Sequence, residues 1–206
     1  MKQNNLFIIR LNWADLLSLL ALFLSSLALV TVLEKKFFLA ISLLFLGMFA
    51  DTFDGMIARK YGLESEFGRY LDGFVDVVTY LMAPVLFLYV FGYHDLVSLL
   101  VYFIFITAGI LRLAKFNIIG TVKEGPKMYY TGLPVFWSLF LLVTLFGLSF
   151  CVPKFVHTII SDTSLLSVSF LMIVNKPFIK PRRYFRISLM VILIVAVFLY
   201  LHLKFG

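Results

Sequence analysis

Four aspartates, Asp51, Asp54, Asp72 and Asp76, sit in segments whose remaining residues are mostly apolar. An ionisable side chain within a membrane-length apolar run is costly, and its default reading is functional. The spacing sharpens that reading. Asp51 and Asp54 are three residues apart and Asp54 and Ala58 four apart, which puts all three on one face of a helix. Gly68, Asp72 and Asp76 repeat at four-residue intervals on the next segment. The short stretch Gly62 to Phe67 between them predicts an antiparallel pair with both acidic faces at one depth. Four carboxylates converging in a low dielectric repel one another unless positive charge sits among them. Arg59 and Arg69 neutralise two at most. Hard divalent cations such as Mg²⁺ or Mn²⁺ prefer oxygen ligands and commonly bridge phosphates. Gly55 and Ala58 leave a groove on the same face, where a phosphate or nucleotide can approach the backbone. The residues therefore predict a carboxylate-held metal site for phosphate chemistry.

The elements that carry these acids follow from composition. Of 206 residues, 62% are hydrophobic and 24 are Phe, and the mean hydropathy is +1.03. Water cannot solvate such a surplus, and a bilayer can. Length, apolar continuity and Gly, Pro or charge punctuation predict spans at about 14–33, 37–60, 68–92, 96–118, 132–152, 157–174 and 187–203. Ser161, Asp162, Thr163 and Ser164 interrupt the sixth, which reads either as a full span or as a shorter, re-entrant helix. The expected fold is an all-α, polytopic membrane bundle of six to seven helices, one domain over 1–206, with the acids at the cytoplasmic ends of the second and third helices. Met1 to Leu11 mixes apolar and basic residues and is expected along the headgroups. The first apolar run is too long for a cleavable signal and lacks a small-residue cleavage site.

The formal charge is +7, but its placement does not suggest nucleic acid. With the N-terminus inside, fourteen Lys and Arg residues fall in cytoplasmic segments, from Lys2 to Arg186, and four (Lys35, Lys36, Lys154, Lys204) on the other side. That bias predicts an inner-membrane protein with its N-terminus and acidic site facing the cytoplasm. His94, His157 and His202 are too scattered for a ligand set, and the lone Cys151 forms no intrachain disulfide. Trp13 and Trp137 read as interface anchors, and the Phe and Leu surplus as lipid-facing and core packing.

The stretch Asp51-Thr-Phe-Asp54-Gly55-Met-Ile-Ala58-Arg59, eight further residues, then Gly68-Arg-Tyr-Leu-Asp72-Gly-Phe-Val-Asp76, resembles the signature of the CDP-alcohol phosphotransferases at all eight specified positions. Chance would produce it at about 10⁻¹⁰ per starting position. The resemblance implies a helical membrane bundle, usually homodimeric, that joins a small alcohol to a CDP-activated lipid such as CDP-diacylglycerol and releases CMP. By that resemblance Asp51, Asp54 and Asp72 bind two divalent ions, Mg²⁺ or Mn²⁺, with Asp76 close enough to assist. Asp76 is then the base for the acceptor hydroxyl, and Gly55, Ala58, Arg59 and Gly68 contact CDP.

Three weaker patches resemble the phosphatidylserine synthase branch. They are Arg112-Leu-Ala-Lys115-Phe116-Asn117, with Lys where the branch has a second Arg; Gly132-Leu133-Pro134, with Phe136 where it has a second Pro; and Ser169 to Met172 followed by Pro177 and Lys180. A serine acceptor brings a carboxylate, which wants fixed cations and donors, and Arg112, Lys115 and Asn117 are the expected suppliers. Choline, glycerol 3-phosphate and inositol or its phosphate stay open as acceptors, choline through an aromatic cage that could include Tyr129 and Tyr130. A transporter subunit is the rival from another class, since intramembrane acids also relay ions; it predicts inverted repeats or spans broken at the midplane, and neither is visible.

Overall fold

The computed structural model describes residues 11–119, 122–124, 127–179 and 184–205. Inside lipid a bare N–H or C=O finds no partner, so the apolar runs fold as helices. Seven occur in order among the described residues: α1 (Trp13–Leu33), α2 (Phe37–Tyr61), α3 (Glu66–Phe91), α4 (Leu96–Ile119), α5 (Trp137–Leu148), α6 (Lys154–Ile173) and α7 (Tyr184–Phe205). Six are long and apolar enough to cross a membrane; α5 is the shorter exception. The expected interfacial segment lies outside the described residues apart from Leu11, as do Lys180, Arg182 and Arg183.

Local signals fix the helix ends around the acids. Asn12 and Asp15 form a reciprocal capping box at the start of α1, Asn12 N donating to Asp15 Oδ2 (2.9 Å) and Asp15 N to Asn12 Oδ1 (3.0 Å). The Asn12 amide also donates to Leu63 O (3.2 Å), tying this cap to the α2–α3 turn. Gly62 ends α2 in the left-handed region at φ 65°, which only glycine enters freely. Ser65 then caps α3 by accepting from Gly68 N at 2.9 Å. At the opposite end of the bundle Phe37, Phe87, Phe91 and Phe146 interlock, with ring centroids 4.9 Å apart for Phe37–Phe87 and 5.3 Å for Phe87–Phe146.

The expected fifth and sixth spans come out differently from their hydropathy. Only 137–148 of the fifth is α-helical, about 18 Å at 1.5 Å per residue. Tighter turns extend it, with Ser138 N bonded to Val135 O (3.0 Å) at one end and Cys151 N to Leu148 O (2.9 Å) at the other. The sixth, despite its polar interruption, is an unbroken helix of 20 residues. Local bonds absorb part of its polarity: Thr163 and Ser167 return their hydroxyls to carbonyls four residues back, at 2.7 Å each. Asp162 turns inward to Ser98 of α4 (3.1 Å). Leu133 N donates to Leu171 O (2.9 Å), and His157 Nε2 lies 2.7 Å from Leu145 O. Helix α5, a shorter apolar helix beside the six long ones among the described residues, therefore runs antiparallel to α6.

Beyond the expected helices there is a small antiparallel sheet, β1 (Val122–Glu124), β2 (Lys127–Thr131) and β3 (Pro177–Ile179), in the order β1-β2-β3. It joins the α4–α5 and α6–α7 connections at one end of the bundle. Gly132, which ends β2, has φ 76°, and a Cβ there would strike the Met172 carbonyl. Close approach and backbone conformation both demand glycine, which gives the Gly132-Leu133-Pro134 patch a structural reason.

Candidate active site

Helices α2 and α3 are joined through the Gly62–Ser65 turn, and α1 packs against both. Asp51 and Asp76 each sit ten residues from the helix end nearest that turn, about 15 Å down the bundle. Asp51, Asp72 and Asp76 each offer one carboxylate oxygen, all within 4.8 Å of one another. At an effective dielectric of about 20, two full charges at that distance repel by about 3.5 kcal/mol. Three such pairs approach the whole stability of a domain, which is about 5–15 kcal/mol. The ion pair found among the described residues, Lys36–Glu34, lies elsewhere. Asp51 Oδ1 is buried without a hydrogen-bond partner among the described residues. An all-oxygen donor set with an orphaned carboxylate oxygen fits a hard divalent cation.

The fourth acid stands slightly apart. Asp54 is 5% exposed, and Ser18 of α1 donates its hydroxyl to Asp54 Oδ2. The expected set of four is thus three converging carboxylates with Asp54 beside them, fixed from a third helix.

Two cavities meet at this cluster. One, of about 390 Å³, is lined by α1, α2, α3 and their turn, including Asp15, Gly55, Ala58, Arg59, Glu64, Gly68 and Arg69. The other, of about 230 Å³, runs from Asp51, Asp76 and Tyr80 to Arg112, Phe116, Tyr130 and Pro134. Asp54, Gly55, Arg59 and Asp72 line both and form the wall they share. A Cβ on Gly68 would sit 2.9 Å from Asp15 Oδ1, and one on Gly55 3.3 Å from the Arg59 guanidinium. Both glycines therefore let side chains lie close over backbone at the cavity wall.

Of the three residues expected to meet an acceptor, one lines the second cavity. Arg112 is 7% exposed, with its guanidinium 5.0 Å from the Phe116 ring centroid and 5.8 Å from that of Tyr130. Its Nε has no hydrogen-bond partner among the described residues. Lys115 is exposed and lines neither cavity. Asn117 packs against α3, its amide nitrogen 2.8 Å from where a Cβ on Gly73 would lie. The face of α4 that carries Arg112 continues four residues on, at Phe116, as helical periodicity requires.

Sequence reasoning missed Asp15, Ser18 and Tyr80. The pattern Asn12-x-x-Asp15 is a legible capping signal, but Ser18 and Tyr80 look like ordinary residues of apolar spans. Tyr80 is 2% exposed and donates its hydroxyl to Asp51 Oδ2 at 2.7 Å.

A family model described as CDP-alcohol phosphatidyltransferase matches residues 11–161. The chain is 36% identical over 121 residues, 58% of its length, to a Bacillus subtilis protein named CDP-diacylglycerol–serine O-phosphatidyltransferase, covering 66% of that protein. It is 39% identical over 102 residues, 50% of its length, to a Methanocaldococcus jannaschii protein of the same name, covering 47% of it. A more distant relative, the phosphatidylcholine synthase of Borreliella burgdorferi, is 25% identical over 122 residues, 57% of this chain and 50% of that one. The chain spans less than two thirds of the length of each of these three relatives.

Proposed function

Because this chain belongs to the CDP-alcohol phosphatidyltransferase family, we propose that it transfers a phosphatidyl group from CDP-diacylglycerol to L-serine, forming phosphatidylserine and releasing CMP. The observation that carries the reading is the convergence of Asp51, Asp72 and Asp76 within 4.8 Å at the junction of two cavities. A donor and an acceptor need such a junction to react in line. Asp51, Asp72 and Asp76, with Asp54 adjacent, would hold divalent metal, Mg²⁺ or Mn²⁺. Bound there, such a metal would supply positive charge to a pyrophosphate and to the departing phosphate.

The chain's own groups supply the rest. Arg59, on the shared wall, pairs with the pyrophosphate of the donor. Gly55 and Gly68 keep the wall of the larger cavity low enough for a nucleotide to lie against it. Asp76 takes the proton of the acceptor hydroxyl as that oxygen bonds to the lipid-side phosphorus. The bond from phosphorus to the CMP oxygen breaks, and CMP leaves with the electron pair.

Serine is favoured over other acceptors by Arg112. A serine carboxylate loses its water on entering the smaller cavity, and that loss needs a fixed cation. A buried guanidinium with an unpartnered Nε, held between two rings, offers a planar fork for it. Two relatives named for serine transfer agree with this reading, and the relative named for choline keeps an aromatic cage as its alternative. Arg112→Ala is expected to raise the apparent KM for serine at least tenfold, a charge-assisted hydrogen bond being worth about 1.5–3 kcal/mol. Affinity for CDP-diacylglycerol should change much less. Steady-state kinetics with both substrates varied would check this. Loss of donor affinity alone would move Arg112 to the donor site.

The site faces the cytoplasm in this reading, supported by the Lys and Arg bias. Lys154, whose ammonium lies 3.3 Å from where a Cβ on Gly92 would be, marks the opposite end. In a Cys151→Ser background, Lys154→Cys should react with an impermeant thiol reagent in intact cells, while Lys123→Cys should not. The reverse pattern would invert the orientation.

A further inference from the structure

Helix α3 changes character immediately after Asp76. Val77–Met82 is a π-turn, with the Ala83 amide bonded to Val78 O five residues back. Isolated π-turns of this kind concentrate at functional sites, and three neighbouring helices grip this one at consecutive residues. Thr79 Oγ1 and Ser25 Oγ of α1 share a hydrogen bond at 2.7 Å. Ser138 Oγ, at the start of α5, donates to the Tyr80 carbonyl at 2.5 Å. Leu81 packs onto Gly109 of α4, where a Cβ would collide with it. In an α-helix, side chains four apart drift steadily around the axis. A wider turn reverses that drift, so Asp72, Asp76 and Tyr80 stay on one face and line the same cavity.

We propose that Tyr80 is a positioning residue for the carboxylate cluster: its hydroxyl engages one oxygen of Asp51 so that the other points at the bound cation. Asp51 Oδ2 receives the Tyr80 hydroxyl at 2.7 Å, and Asp51 Oδ1 is the buried oxygen left without a partner among the described residues. A carboxylate with one oxygen tied down presents the other in a fixed direction. Such an orienting bond to a metal ligand is worth about 10–100-fold in metal affinity. The inference rests on the metal-site reading given above, and it adds that Asp51 depends on a group outside the acid signature.

The test is Mn²⁺ binding by the full-length protein in lipid nanodiscs, read by electron paramagnetic resonance without turnover. Tyr80→Phe, which removes only the hydroxyl, should weaken Mn²⁺ about 10–100-fold. Thr79→Val, which loosens the same π-turn without touching Asp51, serves as the comparison and should bind Mn²⁺ as wild type does. In turnover, Tyr80→Phe should need more Mn²⁺ but recover most of its kcat when Mn²⁺ saturates. A general loss of packing would not be rescued in that way. Wild-type Mn²⁺ affinity in Tyr80→Phe, or equal losses in both variants, would overturn the positioning role while leaving the metal site intact. If wild-type protein binds no Mn²⁺, the metal-site reading falls and the role of Tyr80 falls with it.

Discussion

Asp76→Asn is expected to lower turnover by about 10²–10⁴-fold, the scale on which a positioned general base contributes. The substitution keeps the size and planarity of the side chain but leaves no carboxylate to accept the acceptor's proton. Asp76 lines the smaller cavity, on the side from which an alcohol would approach, and not the larger one. Donor binding should therefore survive, so the loss should fall in kcat and leave the KM for CDP-diacylglycerol close to wild type. Asp76 also belongs to the trio of close oxygens, so Mn²⁺ affinity must be measured in the same variant. Saturating Mn²⁺ should not restore the rate, because the missing function is proton acceptance. Near-normal turnover in Asp76→Asn would remove this residue from the role.

Chelation of divalent metal should abolish activity, and Asp72→Asn should weaken Mg²⁺ or Mn²⁺ affinity severely. The carboxylate oxygens of Asp51, Asp72 and Asp76 lie within 4.8 Å of one another. At about 3.5 kcal/mol per fully charged pair, they cannot all stay ionised without a cation. Asp72 is the member that lines both cavities, so in the proposed reaction its oxygens would face the donor phosphates as well as the acceptor side. Activity measured in EDTA, then titrated back with Mg²⁺ or Mn²⁺, checks the first statement. Full turnover in metal-free buffer would end the metal assignment.

Much of this was legible in the sequence because helices convert spacing directly into geometry. Intervals of three and four residues placed Asp51, Asp54, Asp72 and Asp76 on facing surfaces, of which Asp51, Asp72 and Asp76 converge with Asp54 beside them. At α4, Arg112, Lys115 and Asn117 were grouped by resemblance, without the helical spacing rule. Their helix points Arg112 and Phe116 one way, exposes Lys115 and turns Asn117 against Gly73. The sixth run is the full-length helix among its two readings, with Thr163 bonded locally and Asp162 bonded to Ser98, while the apolar fifth run is only partly α-helical. The π-turn left no trace, since Val77–Met82 reads as an ordinary apolar stretch whose register is set by Ser25, Gly109 and Ser138, all distant in sequence. Ser18 was hidden for the same reason: a small polar residue in a membrane helix gives no sign of which neighbour it bonds.

The proposed transfer is tested most directly by CMP release from the purified protein in bilayers containing CDP-diacylglycerol and Mn²⁺, with serine, choline, glycerol 3-phosphate or inositol supplied in turn. The expected result is CMP in equal amount to phosphatidylserine, formed with serine and not with the other three. CMP release that depends on choline, glycerol 3-phosphate or inositol instead would contradict the acceptor assignment, and no CMP with any of the four would contradict the proposed transfer itself.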